Sequence, residues 1–325
     1  MQKFNQNLVK ITELLSDNEY HDGTSIGNQL KITRAAVWKT IKKLEGYGID
    51  LKSVKGKGYL LENPLILLNA KKIKSQLIHK SVQLEVLEKI DSTNDYVKKY
   101  IPNNKSMKIC IAEHMTKGKG RLHRKWHSPF GQNIYFSLLY PFQKDISELS
   151  GLSLVVSLAT CHAIESVVKI NQKLSVKWPN DVLVNKYKLA GTLIEAQSES
   201  NGFCQVIIGI GINVNMLTAD KKEITQLWTS LAKVTGQYID RNIMCASLIN
   251  SLDEYLNNFT QHGLKYFIKE WEKRDCLIDH QISLLSNTHK FEGISKGINE
   301  QGHLLLKLNN KNVQAFSSGD TTLLK

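Results

Sequence analysis

The sequence predicts a multidomain α+β chain: a helical amino-terminal unit closed by a hairpin, a central α/β unit with a mixed sheet, and a small carboxy-terminal β barrel. Three observations carry this prediction. Apolar residues recur at helical spacing between Leu8 and Leu44. Apolar strand runs alternate with helical stretches from Leu65 to Arg274. After Cys276 the pattern changes to five short strand-like runs separated by turn residues. A length of 325 residues suits two or three such units, and the expected boundaries are 1–63, 65–272 and 273–325.

Leu8, Ile11, Leu14 and Leu15 place one apolar face on a first helix. A shorter helix follows Gly23 and Thr24, with Ile26 and Leu30 inward, and Lys31-Ile32 makes a turn. Thr33 is the expected N-cap of the next helix. There Val37, Ile41 and Leu44 share one face, while Arg34, Trp38 and Lys42 line another, with Lys39 and Lys43 beside them. Gly46 and Gly48 end that helix. Leu51 to Val54 and Tyr59 to Leu61 read as strands joined by the basic, glycine-rich tip Lys55-Gly56-Lys57-Gly58. Helix, helix, turn, helix and basic hairpin together make a winged helix-turn-helix. Its Arg/Lys row would face a DNA major groove and its hairpin tip would lie on phosphate. The competing reading is a three-helix bundle with a solvated basic face.

Glu62-Asn63-Pro64 marks the first boundary, because proline cannot continue a central strand. In the central unit, Asn133 to Leu139 and Val206 to Ile212 read as buried strands. The later strands are expected at Gln281–Leu285, His289–Ser295, His303–Leu308, Val313–Phe316 and Thr321–Leu324. The longest mostly apolar stretch, Gly151 to Ile164, is interrupted by serines and reads as too short to span a bilayer. No apolar h-region opens the chain, and five scattered cysteines form no C-x-x-C pair. Both observations predict free thiols in a reducing cytoplasm and no membrane partner. The formal charge of +13 suits a polyanionic partner or, more simply, solubility.

Three polar clusters carry candidate chemistry. Lys117 to Trp126 sets five cationic side chains within ten residues, and Gly118 and Gly120 let backbone approach a ligand. Ser128-Pro129-Phe130-Gly131-Gln132-Asn133 then leads into an apolar strand, which anchors that loop in the core. Lys177-Trp178-Pro179-Asn180-Asp181 reads as closing a helix-to-strand connection. Its lysine, amide and carboxylate suit a phosphate, a polar ligand group and hydrated magnesium, and Lys188-Leu189-Ala190-Gly191 adds another cation. Asp91-Ser92-Thr93-Asn94 suits a neutral hydrogen-bonding ligand, although such a cluster is more often a helix N-cap. No P-loop occurs, and Gly209-Ile210-Gly211 lacks the third glycine of a dinucleotide fingerprint because Val214 stands there.

In order and spacing, these clusters resemble the bifunctional biotin protein ligases, which also act as biotin operon repressors. The resemblance extends to Thr33-Arg34-Ala35-Ala36-Val37 and Gly56-Lys57-Gly58-Tyr59 in the DNA-binding module, to Gly209-Ile210-Gly211-Ile212-Asn213, and to Ile294-Ser295-Lys296-Gly297-Ile298 with Gly302 in a carboxy-terminal SH3-like barrel. It therefore covers essentially the whole chain. It implies an ATP-dependent enzyme that forms biotinyl-5′-AMP and transfers biotin to a lysine of the biotin carboxyl carrier protein of acetyl-CoA carboxylase. It also implies repression of biotin synthesis genes at operator DNA, by a homodimer formed when the adenylate is bound.

Carried over residue by residue, Ser92, Thr93 and Asn94 line the biotin pocket toward the ureido ring. Gly118, Lys119, Gly120 and Arg121 form a loop closing over biotin and then the adenylate, with Arg121 near the phosphate. Lys177 bridges the biotin carboxylate and the ATP α-phosphate, and Lys188 holds the carbonyl end. Arg124, Asn180, Asp181 and Asn213 serve ATP and magnesium, with Asp181 as the metal ligand, and Trp228 lies beside adenine. Arg34, Trp38, Lys39, Lys42 and Lys57 serve DNA. The chain departs from the family pattern at Met115 (usually glutamine), Lys119 (arginine) and His123 (glycine). Two alternatives are a metabolite-sensing repressor without turnover and a lipoate-type ligase.

Overall fold

The computed structural model describes residues 4–100, 107–142, 145–198, 204–309 and 312–324. Helix α1 (Gln6–Leu14) starts at Asn5, whose side chain accepts from the Asn7 amide. Asp22 caps α2 (Gly23–Leu30) in the same way. Lys31 then takes φ of 55°, and the Thr33 hydroxyl accepts from the Ala36 amide at 3.2 Å to open α3 (Arg34–Gly46). Leu8, Ile11, Leu15, Ile26, Val37, Ile41 and Leu44 are buried in one core. Arg34, Lys39 and Lys42 are exposed beside Trp38, which is 56% exposed despite its size. Strands β1 (Leu51–Val54) and β2 (Gly58–Leu61) pair antiparallel with Val54 opposite Gly58. Gly58 needs its missing side chain: φ is 105°, and a Cβ there would strike the His21 backbone.

The central unit runs through α4 (Ala70–Ser75), β3 (Gln83–Leu87), α5 (Thr93–Lys98), β4 (Lys108–Ala112), β5 (Ile134–Phe142), α6 (Leu152–Val167), β6 (Leu174–Lys177), β7 (Asp181–Val184), β8 (Tyr187–Ser198), β9 (Cys204–Ile212), α7 (Leu231–Thr235), α8 (Arg241–His262) and α9 (Ile268–Arg274). Its seven-stranded sheet has the order β3-β4-β5-β9-β8-β7-β6, mixed because β3 and β4 alone run parallel. Alternation along β9 sends Val206, Ile208, Ile210 and Ile212 into the large core that includes residues of α6 and α8. Ile207 packs in the smaller cluster with Val97 of α5, and Gly209 and Gly211 share its face. That face carries the cavity.

Strands β10 (Gln281–Ser286), β11 (His289–Ile298), β12 (Leu304–Leu308), β13 (Val313–Phe316) and β14 (Asp320–Leu323) form a five-stranded antiparallel sheet ordered β13-β12-β11-β10-β14. Leu277, Ile282, Leu284, Leu304, Leu306 and Phe316 belong to the same core cluster as α6 and α8.

Two expectations need correcting. Lys177 to Asp181 closes a hairpin between β6 and β7, with Lys177 paired to Asp181, rather than a helix-to-strand connection. Leu174 and Val176 are buried while Ser175 and Lys177 are less so, the alternation of a strand. The apolar stretch around α6 is also longer than it reads: Ser147–Val167 has the length and composition to cross a membrane. Within it the regular helix is α6, which starts after Gly151 at φ of 80° and is mostly buried in the core.

The scaffold is pinned where the chain enters the central unit. Arg241 and Glu113, both with fully buried side chains, meet at 2.5 Å. Arg241 also donates to the carbonyls of Asn133 (3.2 Å) and Ile66 (3.0 Å), and Glu113 accepts from the Leu68 amide. Removing one partner of such a pair strands a buried charge.

Candidate active site

A cavity of about 680 Å³ opens over the β5–β9–β8–β7 face, walled by the basic loop on one side and by Asp320, Thr321 and Thr322 of the carboxy-terminal unit on another. Glycines make its floor. Trp126 lies against the sheet where a Cβ at Gly211 would collide with the indole, and Gly191 is similarly close to Trp126 and to Lys188. Gly209 leaves room for the Asn94 amide. The Gly-x-Gly of β9 therefore serves side-chain packing in the cavity.

One end of the cavity is neutral. Ser92 caps α5, accepting from the Asp95 amide at 3.3 Å, so the N-cap reading holds for that residue. The same cap aims Thr93 and Asn94 at the cavity. Ser137 Oγ on β5 lies 2.7 Å from Thr93 Oγ1 and 2.6 Å from Asn94 Oδ1. Met115 sits at this end, its Sδ 3.5 Å from Thr93 Oγ1.

The other end is charged. Lys188 Nζ is 2.7 Å from Asp181 Oδ1 and 5.4 Å from the centroid of the Trp126 ring. Lys177 Nζ is 3.7 Å from Asp181 Oδ2 and donates to the Thr321 carbonyl at 3.3 Å. Arg121 donates to Asn180 Oδ1 (3.4 Å) and the Gly319 carbonyl (3.2 Å) and lies 3.9 Å from Asp320. Burial pulls its guanidinium below the usual value, while Asp320 and Asp181 oppose that. At this end a polyanion would compete with Asp181 and Asp320 for the three cations.

The basic loop is itself a closed hairpin. The Gly120 amide donates to the Arg124 carbonyl (2.7 Å) and the Trp126 amide to the Gly118 carbonyl (2.9 Å). Acidic partners hold it from several directions: Asp91 for Lys117, Asp95 for Lys119, Asp320 for Arg124 and Glu223 for Lys125. Leu122 and His123 sit at φ of 52° and 58°. At the position where the resemblance implies glycine, His123 takes a backbone conformation that side chains rarely adopt.

Comparisons with known proteins agree with this arrangement. Residues 86–213 match the Biotin/lipoate A/B protein ligase family, residues 7–60 an HTH domain, and residues 277–322 the Biotin protein ligase C terminal domain. The chain is 40% identical to the Bifunctional ligase/repressor BirA of Escherichia coli (strain K12), over 92% of each protein. It is 30% identical to the protein of the same description from Bacillus subtilis (strain 168), over 96% of this chain and 97% of that one. The chain belongs to the bifunctional ligase/repressor family. Among solved structures, the biotin protein ligase from Aquifex aeolicus in complex with biotin and ATP superposes with a TM-score of 0.64 at 30% identity, covering 75% of this chain and 99% of that one.

Most residues that the family resemblance singled out converge here. Ser92, Thr93, Asn94, Lys119, Gly120, Arg121, Arg124, Lys177, Asn180, Asp181, Lys188, Asn213 and Trp228 all line the cavity. Gly118 stands behind it, where a Cβ would meet the Trp126 carbonyl and Ser128. The Asn213 amide nitrogen is spent on the carbonyls of Thr229 (3.0 Å) and Lys188 (3.4 Å), tying β9 to the segment that carries Trp228. Lys233 stands 4.3 Å over the Trp228 ring. The five DNA candidates lie elsewhere, on α3 and the hairpin tip, where Lys57 stands 5.9 Å from the Tyr20 ring centroid. Nothing in the sequence marked Ser137, Glu195, Glu223 or Asp320. Each is a lone polar residue whose neighbours come from distant segments.

Proposed function

We propose that the cavity joins biotin to AMP and that the resulting mixed anhydride is passed to a lysine of the biotin carboxyl carrier protein of acetyl-CoA carboxylase. The observation that carries this reading is one cavity with a neutral polar end and a cationic end joined by the Trp126 surface. In the first step a biotin carboxylate oxygen attacks the ATP α-phosphorus, and the bond to pyrophosphate breaks. Two anions must meet, so Lys177 is suited to lie between them and Arg121 to follow the charge developing on phosphate. Lys188, beside Trp126, is suited to the carboxylate. Trp228 and Lys233 offer a face for the adenine. In the second step the carrier amine attacks the biotinyl carbonyl, AMP leaves and the amine loses a proton. No nucleophile from this chain is required.

Magnesium belongs to this reading as a companion of the nucleotide. Among the described residues no three His, Cys, Asp or Glu side chains converge as a metal cage. A single carboxylate beside phosphate oxygens and water is enough for magnesium, and Asp181, which faces Lys188 and Lys177 in the structure, would be that carboxylate. When bound, the ion supplies neutralisation of phosphate charge.

The repressor half rests on α3 and the hairpin. Arg34, Lys39 and Lys42 with the exposed Trp38 suit a major groove, and Lys57 suits phosphate. One such module makes few phosphate contacts, so a homodimer formed with the adenylate bound would double them on a palindromic operator. The test gives the protein biotin or lipoate with ATP, magnesium and a carrier domain, and follows acceptor mass and pyrophosphate. A biotin-sized mass gain on one lysine is expected. Its absence overturns the ligase reading, and preferential lipoate transfer reassigns the substrate. Operator binding that ignores biotinyl-adenylate in a salt-resolved titration, beside analytical ultracentrifugation, removes the regulatory half.

A further inference from the structure

The neutral end of the cavity stands at the end of a hydrogen-bond chain whose direction is set by a residue outside it. Asn94 Nδ2 donates to Glu195 Oε2 of β8 at 2.7 Å. Ser137 Oγ is in reach of both Asn94 Oδ1 and Thr93 Oγ1, and is fully buried. A carboxylate only accepts, so Glu195 holds the Asn94 amide nitrogen toward itself and the amide oxygen toward Ser137. That oxygen also only accepts, and a serine hydroxyl carries one proton, so the Ser137 proton goes to Asn94. Ser137 Oγ is then an acceptor for its other neighbour, and the Thr93 proton is spent on Ser137. Thr93 keeps a free lone pair toward the cavity, where its other hydrogen-bond neighbour among the described residues is the weakly accepting Met115 sulfur. Gly209 lets Asn94 lie flat on the sheet, and a Cβ there would push the amide out of line.

We propose that Glu195 is a positioning residue that sets substrate specificity. It orients the chain Glu195–Asn94–Ser137–Thr93 so that the Thr93 hydroxyl accepts from the ligand, which selects a ring bearing an N–H donor. A cyclic urea satisfies that acceptor, whereas a dithiolane or an N-alkylated urea leaves it unpaired in a desolvated site. The proposal rests on the biotin reading above and adds Glu195 as the residue that orients the Thr93 hydroxyl. A merely structural role, tying α5 to β8, would affect all ligands alike.

Glu195→Gln keeps the shape but can turn its own amide hydrogen toward Asn94, which allows the whole chain to reverse. In full-length protein, it is expected to raise KM and Kd for biotin about ten-fold, one lost hydrogen bond, with kcat at saturating biotin unchanged. Affinity for biotin methylated on a ureido nitrogen should not move, so discrimination between the two falls by the same factor. Glu195→Asp retains an acceptor-only group and should preserve discrimination even where affinity drops. Thr93→Val alone should lose the discrimination, and adding Glu195→Gln to it should cost nothing further. Equal weakening of biotin and its methyl analogue, or a fall in kcat with KM constant, overturns the proposal. Wild-type protein that binds neither ligand overturns the biotin reading itself.

Discussion

The central unit meets its two neighbours in opposite ways. Toward the carboxy-terminal sheet there is no gap in the apolar interior: Leu284, Leu304 and Leu306 share one cluster with Leu154 of α6 and Leu264. Toward the amino-terminal module the interior is divided, and the module has its own core, closed by Leu65, Leu67 and Phe130. That junction adds a few directed contacts to those three apolar side chains. Glu88, fully buried, takes an ion pair from Lys43 and a hydrogen bond of 2.7 Å from the Tyr47 hydroxyl. Tyr47 stacks on Phe130 with centroids 4.1 Å apart. Continuous apolar packing makes two units melt and move as one, whereas a polar latch on a separate core lets one reorient against the other. The difference places the carboxy-terminal sheet in the catalytic body, where Thr321 already touches Lys177, and leaves the DNA module with a core of its own.

Four substitutions probe that contrast. Lys177→Ala, at the seam between the catalytic body and the carboxy-terminal sheet, should lower the adenylation rate by two to three orders of magnitude, about 3–4 kcal/mol. Pyrophosphate release measures it beside calorimetric biotin binding, which should change far less; equal losses would make the lysine a ground-state contact. Leu284→Ala should remove about 2–5 kcal/mol from the catalytic body as a whole. Calorimetry should show the central and carboxy-terminal units still melting in one transition, and a separate early transition for the sheet would break the comparison. Tyr47→Phe keeps the stack on Phe130 but takes one donor from Glu88, at a cost of about 1–3 kcal/mol. The loss should appear in the amino-terminal module and in operator affinity, with adenylation unaffected. Arg34→Ala should be smallest: the slope of log affinity against log salt falls by about one, again with no effect on adenylation.

The DNA module was the part most fully legible in the sequence. Its helices are short, local and amphipathic, so Thr33 as cap and Val37, Ile41 and Leu44 as one face follow from spacing alone. The carboxy-terminal strands were also plain, because each is bounded by turn residues. The Lys177–Asp181 turn was misread because Leu174 to Lys177 is too short a stretch to separate a helix from a strand by period. The site was legible only as motifs. Lys117 to Trp126 showed its charge, but not that Asp320 and Glu223 hold it.

Local pattern therefore determined the three units, the exposed basic row on α3 and the presence of cations and small polar groups in three motifs. Those features depend on residues within a few positions of one another, where spacing and propensity act directly. Tertiary structure alone decided which polar groups meet. Asn94 and Glu195 are 101 residues apart, Lys177 and Thr321 are 144 apart, and Arg124 and Asp320 are 196 apart. Such pairs arise only when the sheet order brings α5 over β9 and the carboxy-terminal sheet against β6. A lone carboxylate carries no mark of its partner, because its chemistry is set by what the fold places within about 3 Å of it.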